Sequence, residues 1–525
     1  MKTLSITLPY DQDLGDHLKT VYPWVDHFKI ISKSLDARRA PLGRKPVYLY
    51  QVEAFEKNQQ QAYQPEVFEK IVTPIKPLII GSGPAGLFCA LRLAEYGIAS
   101  TILERGDRVP ERMRKIAKYW RYGELDQESN VCFGEGGAGL YSDGKLITRI
   151  KSDYISYVMN KFVQFGAPAD TAYLANPHLG SNKIRALIGF MTKELETKGC
   201  QLIFNTKVVD FIFDKSGKTK GVILSNGEKL YSPHVVVATG HSAQEIYHVL
   251  HHHGVAMEAK DFAVGVRIEH PRGLIDQLQY GAFASDQKLG AARYRLSYHD
   301  EESERGTYSF CMCPGGYVLA SSTDKEGLVT NGMSNFACNS PWSNAALVVN
   351  VKTSQDCDIK KYGPLAGLRF IEEIEHKAFA LSKEFAHCKE LPAQRVEDFM
   401  IGEKSIDLPT TSTPSQLVSI NLADLLPTFI INHLKNALSQ FDKNIPGFMQ
   451  QAVLIAPETR TSSPVTITRD KQSFESVSHH GLYPCGEGAG YAGGITSAAV
   501  DGIKVAESIR MQVSSARALA SSTDF

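Results

Sequence analysis

The stretch KPLIIGSGPAGLFCALRLAEYGIASTILERG, residues 76–106, decides the fold. An apolar strand, PLII, runs into a glycine turn and then into a helical pattern that returns as a second apolar strand ending at Glu104. Gly81, Gly83 and Gly86 form G-x-G-x-x-G, and each glycine has a separate task. Gly81 permits the tight turn, Gly83 lets the backbone approach a pyrophosphate, and Gly86 lets the helix lie close on the sheet. The helix start then offers free N–H groups and the positive end of its dipole to the phosphates. Glu104 stands eighteen residues beyond Gly86, where a carboxylate can accept from the ribose hydroxyls of an adenosine. The register of these parts predicts a Rossmann-like α/β domain whose dinucleotide lies along Gly81, Ser82, Gly83, Pro84, Ala85, Gly86, Glu104 and Arg105. An acid at 104 disfavours a ribose 2′-phosphate, so NADP is not expected here. The motif alone does not separate FAD from NAD.

Three later segments bear on that choice. NTKVVDF (205–211) precedes a strand that ends in VVVATG, with Thr239 and Gly240 closing it. GLYPCGEGAG (481–490) is a short strand followed by glycines. YAGGITSAAVDGIKVAESI follows at once, and Gly493 and Gly494 open its helix. A helix start of this kind stabilises negative charge on a reduced flavin ring, and a packing helix that merely begins with glycines is the alternative. No second strand–G-x-G-x-x-G–helix unit is legible, so one resident dinucleotide is the economical reading, and FAD is the cofactor expected.

In order along the chain, GSGPAGLFCALRLAEYG, CFGEGGAGLYSDGKLITR, FAVGVRIEHP, YSFCMCPGGYV, TNGMS, PETRTSSPV and LYPCGEGAGYAGGITSAAVDG resemble a bacterial family of uncharacterised FAD-dependent dehydrogenases or oxidoreductases. The resemblance spans about residues 76–512. It implies a glutathione-reductase-like FAD domain built from discontinuous segments. By the same resemblance Val208 or Val209 meets the adenine edge, Glu487 beside Gly486 binds a ribityl hydroxyl, and Gly494 and Ile495 face the flavin pyrimidine. The family label implies a cofactor and no substrate.

CFGEGGAGLYSDGKL (132–146) has five glycines between Gly134 and Gly144. It follows no apolar strand, and no helix with a ribose-binding acid comes after it. It is therefore expected to complete the first site: Gly136 and Gly137 run along the same FAD, and Ser142 and Lys145 come toward the flavin.

Lys145 is a candidate for contact with flavin N5 or a substrate anion, with a surface lysine in a turn as the alternative. Cys311 and Cys313 form C-x-C, which a strand points to one side. Cys313, beside PGG, is expected to be the more reactive, although two small residues packed in a sheet explain the pair as well. FAVGVRIEH puts Arg267 and Glu269 on one strand face with His270 at its end, either as a polar substrate or acid/base group or as an outward polar face. Arg460 in PETRTSSP is a further anion-binding candidate. His248 and His252 in HVLHHHG have the spacing of metal ligands but no carboxylate or cysteine close in sequence, so no metal is expected.

The 525 residues carry 57 basic and 57 acidic side chains, a balance unlike that of a protein built to grip nucleic acid or an acidic membrane. Nine cysteines without a regular framework suit a reducing compartment. The first residues lack a secretory h-region, and no apolar run approaches the roughly 20 residues of a membrane span. A cytoplasmic protein is expected. Residues 1–70 form a small α/β unit with the basic connection DARRAPLGRKP, and a polar linker runs toward residue 74. Residues 76–255 and 455–512 form the two parts of the FAD domain. Residues 256–454 form a strand-rich substrate domain with a helical region, in which Pro427 interrupts an apolar helix. The last dozen residues are expected to fray. The functions compatible with this pattern are an FAD-dependent oxidoreductase acting on a small molecule, with transient NAD(P)H as a candidate electron partner, an FAD-dependent RNA-modifying enzyme, or a non-catalytic flavoprotein sensor.

Overall fold

Apolar runs of three residues form strands when both faces are covered, and Leu78–Ile80 is covered on both. It lies at the centre of a five-stranded parallel sheet in the order Leu482–Pro484, Val235–Val237, Leu78–Ile80, Thr101–Leu103, Gln201–Ile203. The molecule is described by a computed structural model, which covers residues 1–57, 59, 68–385 and 390–522. Much of the expected polar linker, residues 58 and 60–67, lies outside the described residues.

Helix Pro84–Glu95 follows the first glycine turn and packs along the terminal helix Ile495–Ser522. Their closeness rests on small residues, since a Cβ on Gly502 would strike the Ala85 backbone. The terminal helix continues to Ser522, so the helix covers most of the segment expected to fray. Strands Val208–Phe213, Thr219–Leu224 and Lys229–Tyr231 form an antiparallel meander beside the parallel sheet.

The second large layer is a seven-stranded sheet in the order Ser297–Asp300, Arg305–Cys313, Trp342–Val351, Phe262–Pro271, Val453–Glu458, Leu391–Arg395, Leu417–Ser419. Only the last pair is parallel. On Phe262–Pro271, Val264, Val266 and Ile268 face an apolar core shared with Ile430, Leu434 and Phe441. Arg267 and Glu269 alternate to the other face, which meets the hairpin Gly316–Ala320/Thr330–Ser334 and the loop around Ser412. Pro427 starts a helix rather than interrupting one: Thr428–Asn444 begins directly after it. Proline is tolerated there because the first helical N–H groups have no partner within the helix.

The N-terminal unit is a three-stranded antiparallel sheet, Lys2–Pro9, Val47–Phe55, His27–Asp36, with helix Leu14–Val21 on it. Strand Lys2–Pro9 has no counterpart in the sequence reading. The unit is docked, not tethered: Lys33 exchanges backbone hydrogen bonds with Tyr173 and Ala175, and Ala40 is buried. In its basic connection Arg38 pairs with Asp36 and Lys45 with Asp11.

Candidate functional site

The first glycine turn has the strain its motif requires. Gly81 has φ +102°, and a Cβ there would lie 2.5 Å from the Ala238 carbonyl oxygen. Gly83 begins helix Pro84–Glu95 without a side-chain cap, leaving the first helical N–H groups available to an anion. Around this start the structure leaves room. A Cβ on Gly240, Gly493 or Gly494 would have nothing within 4 Å, and one on Gly83 only the Gly137 Cα at 3.9 Å. Gly139 ties the two helix starts together, since its Cβ would lie 3.1 Å from Ile495 and 3.8 Å from Pro84, and the free N–H groups with the open space beside them fit a dinucleotide. His241, next to Gly240, has a buried Nε2 without a hydrogen-bond partner, and its Nδ1 lies 3.3 Å from Glu487.

Glu104 is built differently from the sequence expectation. Its Oε2 accepts from Ser82 N at 2.9 Å and Ser82 Oγ at 2.7 Å. Its Oε1 accepts from Gly106 N and Gly134 N, both at 3.0 Å. The carboxylate thus ties the first glycine turn to the second loop, and its acceptor positions are taken by the protein itself. Arg105 pairs with Glu128 and Glu245 and lies 4.1 Å over the Phe133 ring. Val208 is buried in a core cluster, whereas Val209 is exposed.

The second loop lies against the first. Gly136 N donates to the Ser82 carbonyl at 3.1 Å, and a Cβ on Gly137 would come within 3.0 Å of the Gly83 Cα. Arg112, which the sequence reading missed, explains much of the glycine spacing. Fully buried, it donates to the carbonyls of Asn130, Val131, Glu135 and Gly137 at 2.7–3.0 Å. A Cβ on Gly134 (φ +120°) would lie 2.5 Å from the Arg112 Cδ. Burial pulls the Arg112 guanidinium below its ordinary range. Its only sequence signal is a single arginine in an amphipathic helix, indistinguishable there from its exposed neighbours. Ser142 turns back on the loop as well: its Oγ donates to Gly139 O at 2.7 Å and accepts from Gly144 N at 3.1 Å.

Beyond Ser142 the chain enters a charged cluster. Lys145 and His178 are backbone neighbours in a short antiparallel bridge, and Leu146 O accepts from Thr496 Oγ1, in the first turn of the terminal helix, at 2.7 Å. Gly139 meets the same helix start, since its Cβ would lie 3.1 Å from Ile495. The Lys145 ammonium bonds Met312 O and stands 3.6 Å from the buried Asp143. Asp143 also bonds Ser334 Oγ, and His178 Nε2 lies 3.2 Å from it. Burial disfavours the charge on Asp143, yet Lys145 and His178 hold it well below the usual carboxylate range. Burial likewise opposes His178, but its bond to Asp143 raises it to about 9. Asp143, His178 and Ser334 are absent from the sequence reading, because Ser334 lies 191 residues from Asp143 and His178 arrives only through its bridge to Lys145.

The remaining candidates are placed elsewhere or already engaged. All five Arg267 N–H groups are used: two on Glu458, and one each on Asn344, Asn331 and the Cys311 carbonyl. Glu269 receives Ser412 N and Ser412 Oγ, and burial raises its carboxyl to about 7. The expected outward polar face is thus a buried layer. His270 lies on the opposite face, in the apolar core, where Nε2 meets the Phe448 carbonyl at 2.7 Å and burial lowers the imidazole to about 4. Arg460 forms a two-point pair with Glu375 at 2.7 and 3.0 Å, so it is no free anion binder. Cys313 is fully buried, and burial pushes its thiol well up. Its neighbour Cys311 sits in a bulge at φ +43°, which breaks the strand alternation. The Cys313 hydrogen bond, against burial, lowers the Cys311 thiol. Among the described residues no group of three or more His, Cys, Asp or Glu side chains is placed to hold a metal ion, and His253 meets a carboxylate, Asp210, at 2.6 Å. A cleft of about 850 Å³ between helix Val109–Tyr122 and residues 324–328 has none of the glycine-loop residues in its lining.

Two parts of the chain match known families. Residues 261–461 match the family described as FAD-dependent protein, C-terminal domain-like, and residues 79–119 match the NAD(P)-binding Rossmann-like domain. A Clostridium beijerinckii protein called "Uncharacterized protein" is 43% identical over 438 residues, covering 83% of this chain and 80% of its own. Among solved structures, thioredoxin reductase of Lactococcus lactis shares 17% identity over 32% of this chain and 35% of its own, with a TM-score of 0.18. A variant of halogenase PltM in complex with FAD shares 10% identity over 84% of this chain and 69% of its own, with a TM-score of 0.39. Likenesses this distant extend to neither substrate nor reaction. Among the described residues, no helix is long and apolar enough to cross a membrane.

Proposed function

This chain belongs to the bacterial family of FAD-dependent oxidoreductases and its cofactor is FAD, and we propose that it is a dehydrogenase-type enzyme acting on a small organic molecule. The fold is read as the glutathione-reductase type, with the domain parts expected from the sequence. When bound, FAD supplies a two-electron acceptor, taking or returning hydride at flavin N5 while a second donor or acceptor closes the cycle.

One observation carries the reading: the two glycine loops touch at Gly83 and Gly137, and the second leads to the start of the terminal helix at Ile495. Helix Pro84–Glu95 offers its free N–H groups to the pyrophosphate, and Gly81, Ser82, Gly83, Pro84, Ala85, Gly86, Gly136 and Gly137 line it. Glu104 acts by holding both loops in place. Thr239, Gly240 and the Glu487–His241 pair face the central part of the cofactor, and Glu487 binds a ribityl hydroxyl. Gly494 and Ile495, at the start of the terminal helix, favour the negative charge of the reduced ring. Lys145 is fixed next to that helix start through Leu146, so its ammonium serves the reacting side, holding a substrate anion or a flavin edge.

Stopped-flow reduction of the bound flavin by NADH, NADPH and a panel of alcohols, amines and acids tests the function. Reduction by at least one donor is expected, slowed on the order of 10²-fold by Lys145→Met with FAD retained. A flavin that no donor reduces faster than free FAD would contradict the enzymatic reading, and unchanged kinetics in Lys145→Met would remove the lysine from it.

A further inference from the structure

The cluster around Asp143 is assembled from four separate stretches of chain. Residues 143–146 pair with residues 177–179 through Leu146 N to Pro177 O at 3.0 Å and Leu179 N to Gly144 O at 3.1 Å, which sets Lys145 beside His178. Gly144, at φ +71°, allows this approach, since a Cβ on it would lie 2.7 Å from Gly180 N. The hairpin contributes Ser334, and the bulged strand contributes the Met312 carbonyl. Thr496 pins the stretch to the terminal helix. The groups facing Asp143 are Lys145, His178 and Ser334, with Arg293 more remote, and Cys311, Cys313 and Cys338 complete the surroundings.

Two details separate this arrangement from an ordinary buried ion pair. Asp143 is 1% exposed, yet its Oδ2 accepts no hydrogen bond and meets only the Lys145 ammonium at 3.6 Å. The other oxygen, Oδ1, carries both Ser334 and His178, so the carboxylate plane is fixed from behind. His178 is fixed in turn, with Ser334 Oγ 3.1 Å from its Nε2 and the Cys338 sulfur 3.8 Å from its Nδ1. An ammonium has three protons, and the Met312 carbonyl takes one. The half-buried lysine thus keeps donor capacity while its position is set by a rigid anion.

We infer that Asp143 and His178 are positioning residues for Lys145: Asp143, held by His178 and Ser334, aims the ammonium so that a remaining proton faces the ligand beside the terminal helix. This rests on the assignment of Lys145 to the reacting side of the flavin. A positioning role differs from a purely structural one because its effect passes through the lysine. It also differs from direct electrostatics, because a fixed charge acts on the flavin whether or not the lysine is there.

The test is a double-mutant cycle read by the midpoint potential of the bound flavin, a property independent of substrate. Holoenzymes carrying Lys145→Met, Asp143→Asn, His178→Gln and the Lys145→Met pairs are compared with the wild type. Lys145→Met is expected to lower the potential, because a positive charge leaves the reduced ring. Asp143→Asn and His178→Gln are expected to shift it in the wild-type background and to lose most of that shift in the Lys145→Met background. Equal shifts in both backgrounds, or no shift in Asp143→Asn, overturn the inference. If Lys145→Met itself leaves the potential unchanged, the assignment of the lysine to the flavin fails first, and the positioning role fails with it. Ser334→Ala, which removes a donor to Asp143 while keeping its charge, takes the place of Asp143→Asn if that variant does not load FAD.

Discussion

Two buried charge networks, one around Arg267 and one around Asp143, use similar residues to different ends. Arg267 spends every N–H on a neighbour, and its two-point pair with Glu458 is sealed between the sheet and its hairpin. Asp143 is as deeply buried, but its network opens at one end: an unbonded carboxylate oxygen, a partly exposed lysine and the half-buried Cys338. A closed network has no capacity left for a ligand, so its worth lies in the fold. An open one keeps donors in reserve, which suits a site. Arg112 and Arg460, whose guanidinium groups bond the protein itself, fall with Arg267 on the closed side.

Breaking the closed network is expected to have the largest effect. Arg267→Met leaves Glu458 buried without its partner and should lower unfolding free energy by about 3–5 kcal/mol in urea titration. A loss below about 1 kcal/mol would place Arg267 with the open class. The open network should show itself through pH instead. His178 is raised to about 9 in the folded protein by Asp143, against the burial that opposes its charge. A raised histidine contributes stability that is fully present below its unfolded value near 6.5 and fades as pH rises toward 9. Urea midpoints of the wild type should therefore fall between about pH 6.5 and about pH 9, and His178→Gln should flatten that fall. Parallel profiles in the two proteins would mean that the imidazole is not held charged by Asp143.

How much of this was legible beforehand follows the distance over which each contact acts. Residues 76–106 carried strand, turn, helix and strand within one local pattern, and the central sheet has those elements. FAVGVRIEH announced its alternation, and Arg267 and Glu269 do share a face. What lay on that face was not legible, because the hairpin that buries it comes from residues 316–334. His270 misled for the same reason: its partner, the Phe448 carbonyl, is 178 residues away. Cys311 and Cys313 do not follow the expected alternation because one extra residue bulges the strand, and period-two reasoning does not anticipate a bulge. Glu104 sat where a ribose-binding acid belongs, but sequence spacing does not reveal that four protein donors already surround it.

The claim that the second glycine loop is part of the first nucleotide site can be tested in one measurement. Gly137 has φ +63° and lies against Gly83, so a side chain there strains the backbone and intrudes between the loops. Titration of flavin-free Gly137→Val with FAD, followed by flavin fluorescence alongside circular dichroism, should show a folded protein that has lost stoichiometric FAD binding. Full FAD binding by this variant would contradict the account and return the second loop to a separate role.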